Sequence, residues 1–439
     1  MSLFDRRELA DYIRSVTISD TCSDDQNTAN LARCLERFST YDTAVKDLLS
    51  KALSSSNNKS LAFALTRRMF RRAPNTMDGA LAMILVMAVN VEEIHVAVAK
   101  GKHLYLTSKA LDLTWGDLDL ARPSRPFQKL SELSIERKNG NDHRTKPLVV
   151  PMRPTLRVVR VVSCLIGKGP LTFPLSPVLC TLELVEAYIT PNTLIGALSS
   201  GPLENLRRLS MNQVEDRDRG YRPDLSLWSM HAPNGLSAPR RLLQALAGHA
   251  PNLEVFEFYH GTYQHNSWPA SFGTFKQLSK LHTLRIDTDR LVFADGMHEA
   301  QAINPGNLLP DSLRHLHITR IPYSRVNRYY GQVGAPTQVS SAMDLVLEVA
   351  RNMPLHALYL EVGELPDFGT PGGVWICTEL MSATASSLRE LVNDDGNTSK
   401  DIRVYAESEA GPQAQSILLL SRGYRPPDDI WYELVSRYD

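Results

Sequence analysis

The stretch LEVFEF, residues 253–258, places apolar side chains at its first, fourth and sixth positions. Eight further stretches repeat this spacing, and they begin at Val91, Leu130, Leu156, Leu179, Leu206, Leu281, Leu313 and Leu355. A tenth, outlying match is IRSVTI at 13–18. This spacing is the strand signature of leucine-rich repeats. It predicts an α/β fold, a leucine-rich-repeat solenoid of horseshoe shape with a parallel concave sheet and convex helices.

The residues before LEVFEF predict the rest of the repeat unit. In RLLQALAGHAPN, residues 241–252, Leu242, Leu243 and Leu246 share one helical face, and Pro251 ends the helix before the strand. Similar segments precede the signatures at Leu206 and Leu355. Each unit is therefore predicted to be one helix, a turn and one strand.

The spacing between signatures predicts long insertions. Successive signatures lie 23 to 47 residues apart, whereas regular leucine-rich repeats have a period of about 20 to 29 residues. The largest insertions follow strands and are predicted to form rim loops at 213–239, 260–275, 320–338 and 362–375.

Three segments are predicted along the chain. Residues 1–90 form a helical N-terminal cap with an opening strand, 91–392 form the irregular solenoid, and 393–439 form a C-terminal cap. Within this last segment, residues 402–405 have strand character and ILLL at 417–420 is predicted to be helical.

Composition narrows the class of protein. The 439 residues are 43% hydrophobic, and 48 Lys and Arg balance 48 Asp and Glu, so no global positive field attracts nucleic acid. Five scattered cysteines without a C-x-x-C pair predict reduced thiols.

The charged N-terminus does not resemble a secretory signal, and the most apolar run, 80–91, is shorter than the roughly 20 residues that span a bilayer. We expect an intracellular protein of the cytoplasm, the nucleus or both, without a membrane partner.

With its opening strand YIRSVTI at 12–18 and units such as HAPNLEVFEF at 249–258, the chain resembles the fungal F-box and leucine-rich-repeat proteins from about residue 12 to 391. In that family the F-box docks the adaptor of a cullin-type ubiquitin ligase, and the repeats hold the substrate. The resemblance implies a substrate receptor. No Leu-Pro opening of an F-box is recognisable. Three alternatives are open for the adaptor contact: the F-box has been lost, the sequence begins at an internal start, or the protein is a binding scaffold that does not join the ligase.

Strand periodicity predicts which side chains face a partner. Alternation sends the fourth and sixth positions of each signature into the core and the third, fifth and seventh to the concave face. We call the side chains at the third, fifth and seventh positions the strip. Predicted partner-binding residues on the strip are Glu183, Arg208, Glu257, Tyr259, Arg285, Asp287, His315, His317 and Tyr359, and those on the insertions are Trp268 and Tyr329. The alternative is a wet sheet face with loops folded on their own aromatic residues.

Catalytic motifs are missing from the sequence. There is no G-x-S-x-G elbow or phosphate-binding loop, HEAQA at 298–302 lacks the second histidine of a zinc protease, and His315 and His317 have no further ligand at fixed spacing. We therefore expect a non-enzymatic protein-interaction scaffold without a cofactor or metal. The alternatives are an enzyme whose site is assembled from rim loops, for example His260, His265 and Asp287, and a nucleic-acid-binding module using the basic aromatic loop at 321–332.

Overall fold

The computed structural model describes residues 12–19, 90–98, 129–137, 154–162, 175–185, 187, 189–213, 236–260, 271–287, 290–291, 305–321, 348–349, 352–362, 400–407 and 416–421. The chain forms two compact units. Unit 1 comprises Met1–Ile189 and Gly196–Asn205, and unit 2 comprises Thr190–Ile195 and Leu206–Asp439.

Unit 1 contains five parallel strands whose order in the sheet follows their order in the sequence. They are β1 (Ser15–Ser19), β2 (Glu93–Val98), β3 (Glu132–Arg137), β4 (Val158–Val162) and β5 (Thr181–Val185). Because β1 pairs with β2, the outlying match at 13–18 is confirmed as a strand.

Unit 2 follows the same rule over six parallel strands. They are β6 (Arg208–Gln213), β7 (Val255–His260), β8 (Thr283–Asp287), β9 (His315–Ile321), β10 (Ala357–Val362) and β11 (Asp401–Glu407). Each of β2 to β10 begins at the third position of its signature, so the predicted strands and the predicted parallel sheet of an α/β fold are confirmed.

The last described segment corrects one prediction. Residues 417–420 are not helical; they belong to β12 (Ser416–Ser421), which pairs antiparallel with β11. Four consecutive apolar residues show no periodicity that separates a buried helix from a buried strand, which is why the helical prediction was wrong. The strand predicted at 402–405 is confirmed by β11. The segment boundaries predicted at 90 and 392 stay predictions.

Helices are few in the described ranges: α1 (Pro191–Leu198), α2 (Ala238–His249) and the single turn α3 (Pro305–Leu308). The Ser237 hydroxyl caps α2 by accepting the Arg240 amide at 3.5 Å, and Leu242 and Leu246 are fully buried. The helix ends at His249, two residues before Pro251, as the sequence predicts. The described residues include no helix that is both long and apolar enough to cross a membrane.

The core is built from the first, fourth and sixth positions of the signatures, all of which are buried in β2 to β10. In unit 1 these positions carry aliphatic side chains. In unit 2, Phe256 and Phe258 pack with Phe272 and Phe275 at ring-centroid distances of 4.9 to 6.4 Å. The last two rings come from an irregular connection, so aromatic side chains cover the sheet where the described residues form no helix.

Candidate functional site

The fifth positions of the unit 2 strands form a continuous row of polar and aromatic side chains. Backbone pairing places Glu257, Arg285, His317, Tyr359 and Arg403 side by side on β7 to β11. Neighbouring strands are about 4.8 Å apart, so adjacent members of the row are within contact distance. Four of the residues predicted to bind a partner are thus brought together.

The strip on β6 to β8 is held by one ion pair and one ring contact. Arg208 Nη2 donates to Glu257 Oε2 at 2.9 Å. The guanidinium carbon of Arg285 lies 3.8 Å from the centroid of the Tyr259 ring. An Arg group stacked on an aromatic face is oriented while its N–H groups point outward in the guanidinium plane, an arrangement suited to binding a carboxylate or a carbonyl.

The strip on β9 to β11 contains two residues that the signature search missed, Asp401 and Arg403. His317 and Tyr359 meet edge to face at 6.0 Å between ring centroids. The Tyr359 hydroxyl donates to Asp401 Oδ2 at 3.2 Å, and Arg403 Nε donates to Asp401 Oδ1 at 2.9 Å. A polar first position, Ser399, hides this repeat from a search for leucines. The alternation of Ile402 and Val404 with polar residues was the signal that could have found it.

Asp287 lies in the interior instead of on the wet face where the sequence analysis placed it. It is 0% exposed and accepts a hydrogen bond from the Thr319 hydroxyl at 2.5 Å, and Thr319 and Arg290 are also buried. Residues 290–291 and the connection at 271–280 supply buried side chains near this end of the strands, and the Phe272 amide donates to the Arg290 carbonyl at 3.1 Å. Strand alternation alone did not predict that Asp287 is buried.

His315 begins β9 among other histidines. Its ring centroid is 6.0 Å from that of His356, the residue that directly precedes β10, and the side chain of His315 is exposed. Partial desolvation of the ring, followed by the proximity of His282 and of His356, lowers the pKa of His315 below its ordinary value of 6.5.

The unit 1 strip has a different chemistry. Glu183 Oε2 lies 3.5 Å from Arg160 Nε. His95 Nε2 lies 3.9 Å from Glu93 Oε2 and 3.8 Å from Glu132 Oε1. Carboxylates thus dominate this strip, and of the predicted partner-binding residues it carries Glu183.

Several predicted positions cannot be placed in this site. Trp268, Tyr329 and His265 lie outside the described residues, as do most of the four insertions. Across the described parts of the chain, no group of three or more His, Cys, Asp or Glu side chains is arranged to hold a metal ion.

A scan against protein-family models, a search of curated proteins and a search of solved structures each found no match. The resemblance to F-box and leucine-rich-repeat proteins therefore depends on the signatures alone.

Proposed function

We propose that this chain is a leucine-rich-repeat solenoid that binds a protein partner through the strip of unit 2, as a scaffold without catalytic activity. The observation that carries the proposal is the row from Glu257 to Arg403. It presents two arginines, a tyrosine and a histidine on five paired strands. Tyr and Arg are the residue types that most often dominate the binding energy of protein interfaces.

The rigidity of the row also supports this function. Binding a partner costs less when the contacting side chains are already ordered. Here Arg285 stacks on Tyr259, and Asp401 holds both the Tyr359 hydroxyl and Arg403. These contacts orient long side chains before any partner arrives.

The resemblance described above supports a narrower role within the same proposal. A relative of F-box proteins would use the strip to hold a substrate for a cullin-type ubiquitin ligase. Purification of the full chain with the ligase adaptor would support the substrate-receptor role. Stable recovery of other partners without the adaptor would support a plain scaffold.

The test is the double variant Tyr259→Ala with Arg285→Ala in the full chain. We expect recovery of the co-purifying partner, quantified by mass spectrometry, to fall at least about tenfold, since a hot-spot side chain contributes about 2 kcal/mol or more. Both side chains are partly exposed, so the thermal midpoint should change little.

The matched control is Gln244→Ala with Lys276→Ala, two exposed side chains of unit 2 outside the strip. This control should retain wild-type recovery. Equal recovery by the strip variant and the control would contradict the proposal.

A further inference from the structure

Three histidines and one arginine converge at the beginning of the central strands of unit 2. His282 directly precedes β8, His315 is the first residue of β9, and His356 directly precedes β10. Arg314 lies beside His315 in the sequence. Polar side chains on neighbouring strands are brought this close by pairing alone, across sequence separations of 33 and 41 residues (315 − 282 and 356 − 315).

Backbone hydrogen bonds set the spacing of this cluster. The His282 carbonyl accepts the amides of both Arg314 and His315 at 2.9 Å, and the Arg314 carbonyl accepts the amide of His356 at 2.7 Å. The His315 and His356 rings then meet at 6.0 Å and an interplanar angle of 63°. The imidazole Nδ1 of His282 is 3.0 Å from the Thr283 hydroxyl, and Thr283 is the register partner of His315.

The charges around the cluster are unbalanced toward the positive. Glu254 directly precedes β7. Its Oε2 atom lies 3.6 Å from His282 Nε2, and its Oε1 atom lies 3.4 Å from Arg207 Nε. On the β11 side, Asp401 accepts hydrogen bonds from Arg403 and Tyr359. On β8, β9, β10 and the residues that lead into them, the titratable and charged groups besides His315 are Lys280, His282, Arg285, Asp287, Asp311, Arg314, His317, Arg320, His356, Tyr359 and Glu361; Glu254 precedes β7, and Asp401 and Arg403 lie on β11.

Of the nearby carboxylates, none neutralises the centre of the cluster. Within the described part of the chain, no carboxylate lies within the 4.0 Å ion-pair distance of a side-chain nitrogen of Arg314, His315 or His356. Arg314 Nη1 instead donates to the carbonyl oxygens of Asp311 at 2.7 Å and Leu313 at 2.8 Å. Protonating these imidazoles places like charges beside one another and beside a guanidinium. An anion bound beside these imidazoles would therefore stabilise their protonated state.

We propose that His282, His315, His356 and Arg314 form an anion-binding site at one end of the unit 2 strip, and that its occupant is a carboxylate-bearing segment of the protein partner. This inference rests on the proposed function and specifies the chemistry of the partner. Charge complementarity carries it: three imidazoles, once protonated, and a guanidinium form a cationic cluster that attracts a carboxylate-bearing segment. Because the anion stabilises the protonated imidazoles, binding takes up protons and is tighter at lower pH.

The experiment uses the full-length chain and an oligo-aspartate peptide of about ten residues, with a Ser-Asn peptide of equal length as the uncharged reference. We expect affinity for oligo-aspartate, measured by fluorescence anisotropy, to be at least about fivefold higher near pH 5.5 than near pH 7.5, the interval in which histidine titrates. The reference peptide should not bind at either pH. Equal affinity of oligo-aspartate at both pH values would overturn the proposal.

The variant His315→Gln with His356→Gln should reduce the pH dependence to what His282 supplies, and His249→Gln at the end of α2 should preserve it in full. A measurement that needs no variant is titration calorimetry of the wild-type chain in two buffers with different ionisation enthalpies. Proton uptake on binding near pH 6.5, the ordinary histidine pKa, is the expected result. Binding without proton uptake would exclude the imidazoles from the site.

A single-stranded oligonucleotide of about ten nucleotides distinguishes a phosphate-bearing occupant. Tighter, histidine-dependent binding of the oligonucleotide than of oligo-aspartate would overturn the assignment to a protein carboxylate. The two proposals also fail separately. If the Tyr259 and Arg285 variant loses its partner but the peptide does not bind in a histidine-dependent way, only this inference is contradicted. If the peptide binds in a histidine-dependent way but partner recovery by that variant is unchanged, the proposed function is contradicted.

Discussion

The strips of the two units show what one backbone repeat leaves undetermined. In unit 1, His95 lies between the carboxylates of Glu93 and Glu132. In unit 2, His315 lies between His282 and His356 instead. Apart from one register shift between β9 and β10, parallel pairing aligns equivalent signature positions in both units. The chemistry of each strip is therefore set by residue choice at positions that folding does not constrain.

The cores of the two units differ in a related way. Aliphatic residues such as Val159 and Leu182 occupy the fourth positions of unit 1, whereas unit 2 places Phe256 there, against Phe272 and Phe275 from an irregular connection. Core positions tolerate different apolar shapes if the space is filled. In unit 2 the connecting chain supplies two of the filling residues.

The largest expected effect is on this aromatic core. Phe256→Ala removes a fully buried ring with three aromatic neighbours, and we expect it to lower the free energy of unfolding by about 3 to 5 kcal/mol. Leu182→Ala, at the same signature position in unit 1, is the matched variant, and its cost should be smaller because it removes less apolar area and no ring contacts. Urea denaturation, together with hydrogen exchange of the β7 and β5 amides, measures both. A larger cost for Leu182→Ala would show that the aromatic cluster adds nothing to stability.

A smaller effect is expected at the buried polar pair that distinguishes the unit 2 strip. Thr319→Val keeps the side-chain shape but removes the hydroxyl that donates to Asp287. Since Asp287 is fully buried, the lost donor should cost about 1 to 3 kcal/mol. Thr181→Val on the partly exposed unit 1 strip is the control, with an expected change below about 0.5 kcal/mol. Equal thermal shifts for the two variants would mean that the Asp287 contact contributes nothing specific.

The smallest effect concerns the pH dependence of stability. The folded-state pKa of His315 lies below 6.5, so between that pKa and 6.5 the unfolded chain binds more protons than the folded chain. Its contribution to stability is therefore complete above pH 6.5 and declines as the pH falls toward the folded-state pKa. We expect His315→Gln to flatten the decline in thermal midpoint below pH 6.5 slightly, because the side chain is exposed and solvent screens the interaction. An unchanged or steeper decline in the variant would contradict this assignment.

Much of the fold was predictable because strand alternation is local. The apolar positions of each signature predicted nine strands and their buried apolar side chains, and the helix before Pro251 followed from the spacing of Leu242 and Leu246. The failures occurred where local pattern was weak. ILLL at 417–420 lacks a period, and β11, although residues 402–405 were predicted to have strand character, was not recognised as a repeat because the first position of its signature is polar.

The candidate site was only partly predictable. The strip residues Arg208, Glu257, Tyr259, Arg285, His317 and Tyr359 were recognised from the sequence. Which of them meet, and their contacts with Asp401 and Arg403, were established only by the pairing of strands. No spacing rule indicated that His282 and His356, at the second position of their signatures, would flank His315. The insertion residues Trp268 and Tyr329 stay predictions.

The sequence by itself determined which positions carry the apolar core side chains and which carry the strip, because the two-residue period of a strand is a property of the local backbone. Only the tertiary structure decided which strip residues meet, since lateral neighbours are joined by backbone hydrogen bonds across connections of variable length. It also decided that Asp287 is covered, because burial depends on where the following chain packs. The acidic surroundings of His95 and the basic surroundings of His315 arise from those lateral contacts.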